Sequence, residues 1–167
     1  MIEIVVDTRE QKPVWKGRRY IRRTLLVGDY TTTNLFNCFA VERKTPQDLY
    51  GTITKGHVRF RNEILRASAN GIKLVLFVEC SQQKFVTKQF IGGHLRKMPG
   101  EVLGKIIDTI EKRYKLEVIW CNSRTSSITK IFDRLRKEEN LLRLSKNTSN
   151  NKSNHNTQNK SANRNQN

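Results

Sequence analysis

The sequence predicts a single α/β sandwich with a mixed central sheet, and three of its features carry that reading. Short apolar strands alternate with helical stripes from Ile2 to Leu144, an order that puts helices on both sides of one sheet. Leu74-Val75-Leu76-Phe77-Val78 is an unbroken apolar run, the mark of a strand buried on both faces. At about 100 to 200 residues per domain, 167 residues make one domain and at most a tail.

Taken in order, Ile2, Ile4, Val5 and Val6 form a first strand that ends at Asp7. Tyr20 to Val27 reads as a second strand, stopped by the Gly28-Asp29 turn signal. Tyr30 to Thr33 and Cys38 to Lys44 make a hairpin around Asn34 to Asn37. Pro46 suits a first helical turn, where its missing N–H is not needed, and Asp48 falls in that turn. His57 to Ala69 is a basic helix with Phe60, Ile64 and Ala67 on one face, and Lys73 to Glu79 is the doubly buried strand. Ser81 to Met98, which contains Gly92-Gly93 and several Lys and Arg, has no period and reads as a loop over a substrate or a partner contact. Pro99-Gly100 opens a helix striped by Val102, Leu103, Ile106, Ile107, Ile110 and Tyr114. Glu117 to Cys121 is the last strand, and Ile128, Ile131, Phe132 and Leu135 mark the last amphipathic helix.

Lys and Arg number 32 against 15 Asp and Glu, a formal charge of +17. Self-repulsion of this size weakens a compact state unless a polyanion relieves it, which points to nucleic acid first and an anionic membrane second. No stretch nears the roughly 18 to 20 apolar residues that span a bilayer. Met1 to Thr8 runs straight into a strand, so neither a signal peptide nor a membrane helix is expected. The expected location is intracellular: the cytoplasm or, for a virus or mobile element, the host cytoplasm or nucleoid. Cys38, Cys80 and Cys121 are odd in number and set among apolar residues, so they are expected reduced and buried. The scattered His57, His94 and His155 give no zinc pattern.

From Ser145 the composition shifts: nine of the last 23 residues are Asn, and Ala162 is the only apolar side chain. A segment that cannot bury apolar surface cannot offset its ordering entropy. Residues 1–144 are thus the expected domain, and residues 145–167 a disordered, weakly basic tail. Lys146, Lys152, Lys160 and Arg164 could let that tail add to non-specific DNA affinity.

Acids are the exception in this chain, and they gather. Asp7, Glu10, Asp29, Glu42 and Asp48 fall within 42 residues, together with Lys44. Strand side chains alternate, so Glu42 and Lys44 share one face while Val41 and Arg43 share the other. Asp29 opens the hairpin whose return strand carries Glu42, so the two carboxylates can converge, and Asp7 at the end of the first strand could supply a third. Hard divalent cations take such oxygen ligands, and Mg²⁺ keeps several waters for a phosphate-bearing substrate. A nearby lysine can orient the attacking water or stabilise charge developing on the phosphate.

Val6-Asp7-Thr8-Arg9-Glu10, then Val27-Gly28-Asp29-Tyr30, then Val41-Glu42-Arg43-Lys44 followed after three residues by Asp48, match the pattern VDxRE, GD and ERKxxxD. In these residues the chain resembles the nuclease domain of the XPF-type structure-specific endonucleases, which include archaeal Hef. The likeness extends less sharply through Arg59-Phe60, Glu63, Arg66 and Leu74 to Glu79, to about residue 140. The resemblance implies a restriction-endonuclease-like three-layer αβα sandwich and Mg²⁺- or Mn²⁺-dependent cleavage of branched DNA: junctions, flaps or forks, in repair, recombination or replication. It implies Asp29 and Glu42 as principal metal ligands, with Asp7 and Glu10 closing the site or holding a second ion. Lys44 would act on the attacking water, Arg43 would fix Asp48 or nearby backbone, and Arg9 would meet a phosphate at the rim. Asp48 is weighed evenly between catalysis and a helix-start role.

Arg18, Arg19, Arg22, Arg23, Lys55, Arg59, Arg61 and Arg66 form two basic runs flanking the acids, with few acids among them, and are read as phosphate contacts. His57 is read as structural, and Trp15 and Trp120 as packing residues. Relatives usually append a helix-hairpin-helix domain or a helicase, for which this sequence shows no pattern, so a homodimer, an accessory DNA-binding protein or the basic surface alone is expected to supply the second grip. Two alternatives stand beside the branched-DNA nuclease. One is a nickase or site-specific endonuclease on duplex DNA, and the other is a non-catalytic DNA-binding subunit. The intact ERK and GD residues disfavour the last.

Overall fold

The structure, a computed structural model, describes residues 2–14, 19–87 and 98–162, with side chains through Thr148. Trp15, Arg18, His94, most of the basic loop and the tail's Lys152, Lys160 and Arg164 lie outside the described side chains.

Six strands form one sheet: β1 Ile4–Asp7, β2 Ile21–Arg23, β3 Tyr30–Thr32, β4 Phe39–Lys44, β5 Lys73–Val78 and β6 Glu117–Trp120. Their order is β2-β1-β3-β4-β5-β6. β3 is antiparallel to β1 and β4, and the other neighbours are parallel, so the sheet is mixed as expected. The helices are α1 Pro46–Thr54, α2 His57–Ala69, α3 Gln82–Val86, α4 Gly100–Tyr114 and α5 Arg124–Ala162.

The apolar alternation on β5 builds both cores. Leu74, Leu76 and Val78 pack with Leu49 and Ile53 of α1, Phe60 and Ile64 of α2, Phe85 of α3, and Leu103 and Ile107 of α4. Val75 and Phe77 point to the opposite side, where they meet Tyr30, Phe39, Val41 and the α5 residues Ile131 and Leu135. The result is the three-layer αβα sandwich of the restriction-endonuclease type. Fully buried side chains such as Phe77, Phe85, Leu103 and Leu135 each contribute about 1.5 to 3 kcal/mol.

Local chemistry fixes the ends that matter. Thr45 caps α1 by accepting from the Asp48 N–H at 3.2 Å, with Pro46 just inside the helix. Trp120 packs on Phe85, with ring centroids 5.5 Å apart, as its packing role requires.

Four expectations, for two strands, the loop after β5 and Cys38, need correction. The strand anticipated over Tyr20 to Val27 shrinks to Ile21–Arg23, an exposed edge element, because the Leu25 N–H leaves the ladder for the Asp7 carboxylate. The hairpin's first strand stops at Thr32, and Thr33–Leu35 winds into a 3₁₀ turn that buries Leu35. Ser81 to Met98 is not wholly irregular, since the Ser81 hydroxyl caps α3 and Phe85 seals the core. Cys38 is exposed, whereas Cys80 and Cys121 are buried. At Ser145 the sequence changes composition, but α5 continues to Ala162 without a break in its helical backbone.

Candidate active site

The GD turn places the first acid. Gly28 has φ +76°, and a Cβ there would lie 3.0 Å from the Val41 carbonyl, so the chain passes close over β4 only without a side chain. Beyond it, the Asp29 N–H donates to Val41 O at 2.7 Å and the Asp7 N–H donates to Asp29 O at 2.8 Å. Asp29 is thereby stitched between β1 and β4. Its Oδ2 accepts the Arg43 N–H at 2.8 Å, and Oδ1 has no protein donor among the described residues.

Glu42 and Lys44 share a face, as their spacing predicts. Lys44 Nζ donates to Glu42 Oε1 at 2.7 Å and lies 5.4 Å from the Phe60 ring centroid. Burial and the facing Glu42 hold the Asp29 carboxyl well above the ordinary range. Burial also raises Glu42, and Lys44 only partly opposes this. Burial alone would lower the Lys44 ammonium, but Glu42 and Asp29 more than compensate and raise it. A half-buried Asp29 and a buried Glu42 thus lie close to one lysine, which is bonded to Glu42, and each carboxylate keeps one oxygen without a donor among the described residues.

The other side of β4 behaves differently. Arg43 Nη1 donates to Glu79 at 2.7 Å and Nη2 donates to Glu10 at 3.1 Å, with all three side chains under 10% exposed. Arg43 therefore braces β5 and the residue 7–12 loop rather than Asp48, whose partner is Thr45 Oγ1 at 2.7 Å. Glu10 also accepts the Lys12 N–H at 2.6 Å. Asp7 accepts from Arg9 N–H, Arg9 Nε, Arg9 Nη2 and Leu25 N–H, all within 3.0 Å. Burial would raise Asp7, but the Arg9 hydrogen bonds and the backbone donors outweigh it and lower the carboxyl. The oxygens of Asp7 and Glu10, which the resemblance makes metal ligands, are occupied by protein donors.

Asp29, Glu42, Lys44, Glu10, Asp48, Arg59 and Phe60 line one cleft of about 530 Å³. Among the described residues no three Asp, Glu, His or Cys side chains stand as a ready ion cage. An ion here would draw on Asp29, Glu42, water and substrate. That donor set suits Mg²⁺, which binds through one or two carboxylates and keeps its waters.

The ERCC4 domain model matches residues 6–133. The chain belongs to the ERCC4 domain family. No curated protein matches it in sequence. Its structure is similar to XPF from Aeropyrum pernix, with TM-score 0.63 and 18% identity over 82% of this chain. A second structure, XPF from Aeropyrum pernix in complex with DNA, aligns with TM-score 0.63 and 18% identity over 84% of this chain. The chain spans 65% and 66% of the lengths of those two chains. The mixed six-stranded sheet is the XPF nuclease-domain fold.

Within this ERCC4 fold the expected phosphate contacts divide. Arg59 and Arg66 line a second hollow over Asp29 and Glu42, of about 430 Å³. Arg61 instead lines an apolar groove between α2 and α4. Arg22 donates to the Thr8 and Glu10 carbonyls, Arg23 stacks 4.4 Å from the Phe36 ring, and Arg19 and Lys55 are exposed. Arg9 lines the cleft and is 62% exposed, with its guanidinium closed on Asp7. Two cleft residues carried no role in the sequence reading. Glu63 accepts the Gly28 N–H at 3.3 Å, and Arg124 enters from α5. Glu63 falls on the basic helix one turn after Phe60, a position that could have drawn attention. Arg124 had no local signal.

Proposed function

We propose that the protein is a metal-dependent DNA endonuclease that hydrolyses phosphodiester bonds in branched DNA. The convergence of Asp29, Glu42 and Lys44 in one cleft carries this reading. Asp29 and Glu42 would hold Mg²⁺ or Mn²⁺, since each offers an oxygen with no donor among the described residues, at a place where two crowded carboxylates are pushed up by burial. Held there, a divalent cation would supply polarisation of the phosphate and a water of lowered pKa.

The remaining roles belong to the chain itself. Lys44, kept cationic by Glu42, has donors left over to orient that water or meet charge developing on the phosphate. Phe60 packs beside the ammonium and limits water access to it. Arg43, locked on Glu10 and Glu79, fixes the strand that presents Glu42 and Lys44, and its backbone N–H orients Asp29. Arg59 and Arg66 receive the phosphates that flank the scissile one. Asp7 holds Arg9 and Leu25 rather than an ion. The DNA complex of the Aeropyrum pernix XPF supports nucleic acid as the partner.

Homodimerisation is part of the reading, because one cleft gives a single grip. Val102, Leu141 and Leu144 leave apolar surface 39%, 50% and 62% exposed on α4 and α5, where a second copy or an accessory protein could sit. Light scattering at working concentration should give a dimer, and a monomer would contradict that part.

Labelled three-way-junction, splayed-arm, Holliday and linear duplex substrates, incubated with Mg²⁺, Mn²⁺ or EDTA, test the whole. Branched substrates should be cut near the branch, and only with metal. Equal cutting of all four would replace branch selectivity with nicking of ordinary duplex, and the absence of metal-dependent cutting would overturn the enzyme.

A further inference from the structure

Arg124 opens α5, which packs on the face of the sheet opposite α1 and α2, yet it lines the same cleft as Asp29, Glu42 and Lys44. The cations around that cleft differ in what already holds them. Arg9 is closed on Asp7, Lys44 on Glu42, and Arg43 on both Glu10 and Glu79. Arg59 makes no ion pair among the described residues.

Arg124 resembles Arg59 more than the others. Its Nη2 donates to the Lys12 carbonyl at 2.9 Å, and Nη1 stands 3.6 Å from a Glu79 oxygen that Arg43 already takes at 2.7 Å. Its side chain is 42% exposed. A guanidinium has five N–H donors in a planar fork, and a single hydrogen bond leaves most of that fork open to a phosphate. Arg59 reaches the cleft from α2 and Arg124 from α5, and the Asp29 and Glu42 carboxylates line the same cleft. A strand laid in the cleft would find a cation from each helix.

We propose that Arg124 is a phosphate-binding residue that grips the DNA strand on the α5 side of the scissile bond, an inference that rests on the nuclease reading above. The rival role is a purely structural one, tying the residue 7–12 loop to α5 through the Lys12 carbonyl.

Two substitutions separate these roles. Arg124→Gln keeps an N–H donor for the Lys12 carbonyl and loses the charge, whereas Arg124→Lys keeps the charge and loses the fork. The readout is the affinity for a fluorescent splayed-arm DNA in EDTA between about 50 and 200 mM salt, alongside melting temperatures. Phosphate contact predicts that Arg124→Gln weakens binding about 3- to 10-fold and lowers the slope of log K against log salt by about 0.9, while Arg124→Lys keeps the wild-type slope. An Arg124→Gln protein with wild-type slope and affinity overturns the proposal, as does an Arg124→Lys protein that loses as much slope as Arg124→Gln. Wild-type protein that neither binds nor cuts DNA sinks the nuclease reading itself. Wild-type protein that cuts, beside an Arg124→Gln protein that binds unchanged, sinks only Arg124.

Discussion

Two pairs of acids stand on neighbouring strands, joined where the Asp7 N–H donates to the Asp29 carbonyl, and they are treated in opposite ways. Asp7 and Glu10 have both oxygens occupied by Arg9, Leu25, Lys12 and Arg43. Glu42 is buried and Asp29 half-buried, yet each spends only one oxygen on the protein; burial raises both, with Glu42 adding to the rise of Asp29 and Glu63 to that of Glu42. A fold stabilises itself by pairing buried charge, and buried acids left half-paired are a cost that stability alone does not explain. The first pair builds the walls of the site, and the second is the part that needs a cation.

That contrast can be broken at either end. Asp29→Asn and Glu42→Gln should lower metal-dependent cleavage by at least about 10² to 10³-fold, the scale on which a site loses one electrostatic group. Asp29→Asn should not lower the melting temperature, because a neutral isostere removes carboxylate repulsion, whereas Glu42→Gln also leaves the Lys44 ammonium without its charged partner and should lower it. Arg43→Ala should do the reverse in kind, costing about 3 to 5 kcal/mol in urea unfolding, since it strands Glu10 and Glu79 as buried charges. Asp7→Asn should cost about 1 to 3 kcal/mol near neutral pH. The folded carboxyl of Asp7 is depressed, so its stabilisation is present above the unfolded value of about 3.9 and is lost as pH falls through the folded value. The gap between wild type and Asp7→Asn should therefore close in acid. Among the arginines, Arg59→Ala should weaken DNA affinity several-fold by removing a phosphate contact in the cleft, while Arg61→Ala, on the apolar groove, should shift it less than about twofold.

How much could be read beforehand follows the reach of each interaction. Pro46 and Asp48 announced the start of α1, the helix from His57 to Ala69 was given by its apolar spacing, and the period of two put Glu42 and Lys44 on one face. These are local rules, and the short motifs around Asp29 and Glu42 added the family. What escaped depends on partners far apart in sequence. Arg43 was expected near Asp48, but its partners Glu10 and Glu79 lie 33 and 36 residues away and come together only when β4 and β5 pair. The Leu25 N–H leaves the sheet for an Asp7 oxygen 18 residues back, which is why the second strand is so short. Arg124 reaches the Lys12 carbonyl across 112 residues, and nothing in its own neighbourhood marks it.

Titration calorimetry with Mn²⁺ on wild type and on the Asp29→Asn/Glu42→Gln double variant tests the central claim without relying on cleavage. Heat of metal binding in the wild type that vanishes in the double variant, while Asp7→Asn retains it, is the expected result. Equal Mn²⁺ binding by wild type and the double variant, or its loss in a folded Asp7→Asn protein, would contradict the division of these acids into walls and metal site.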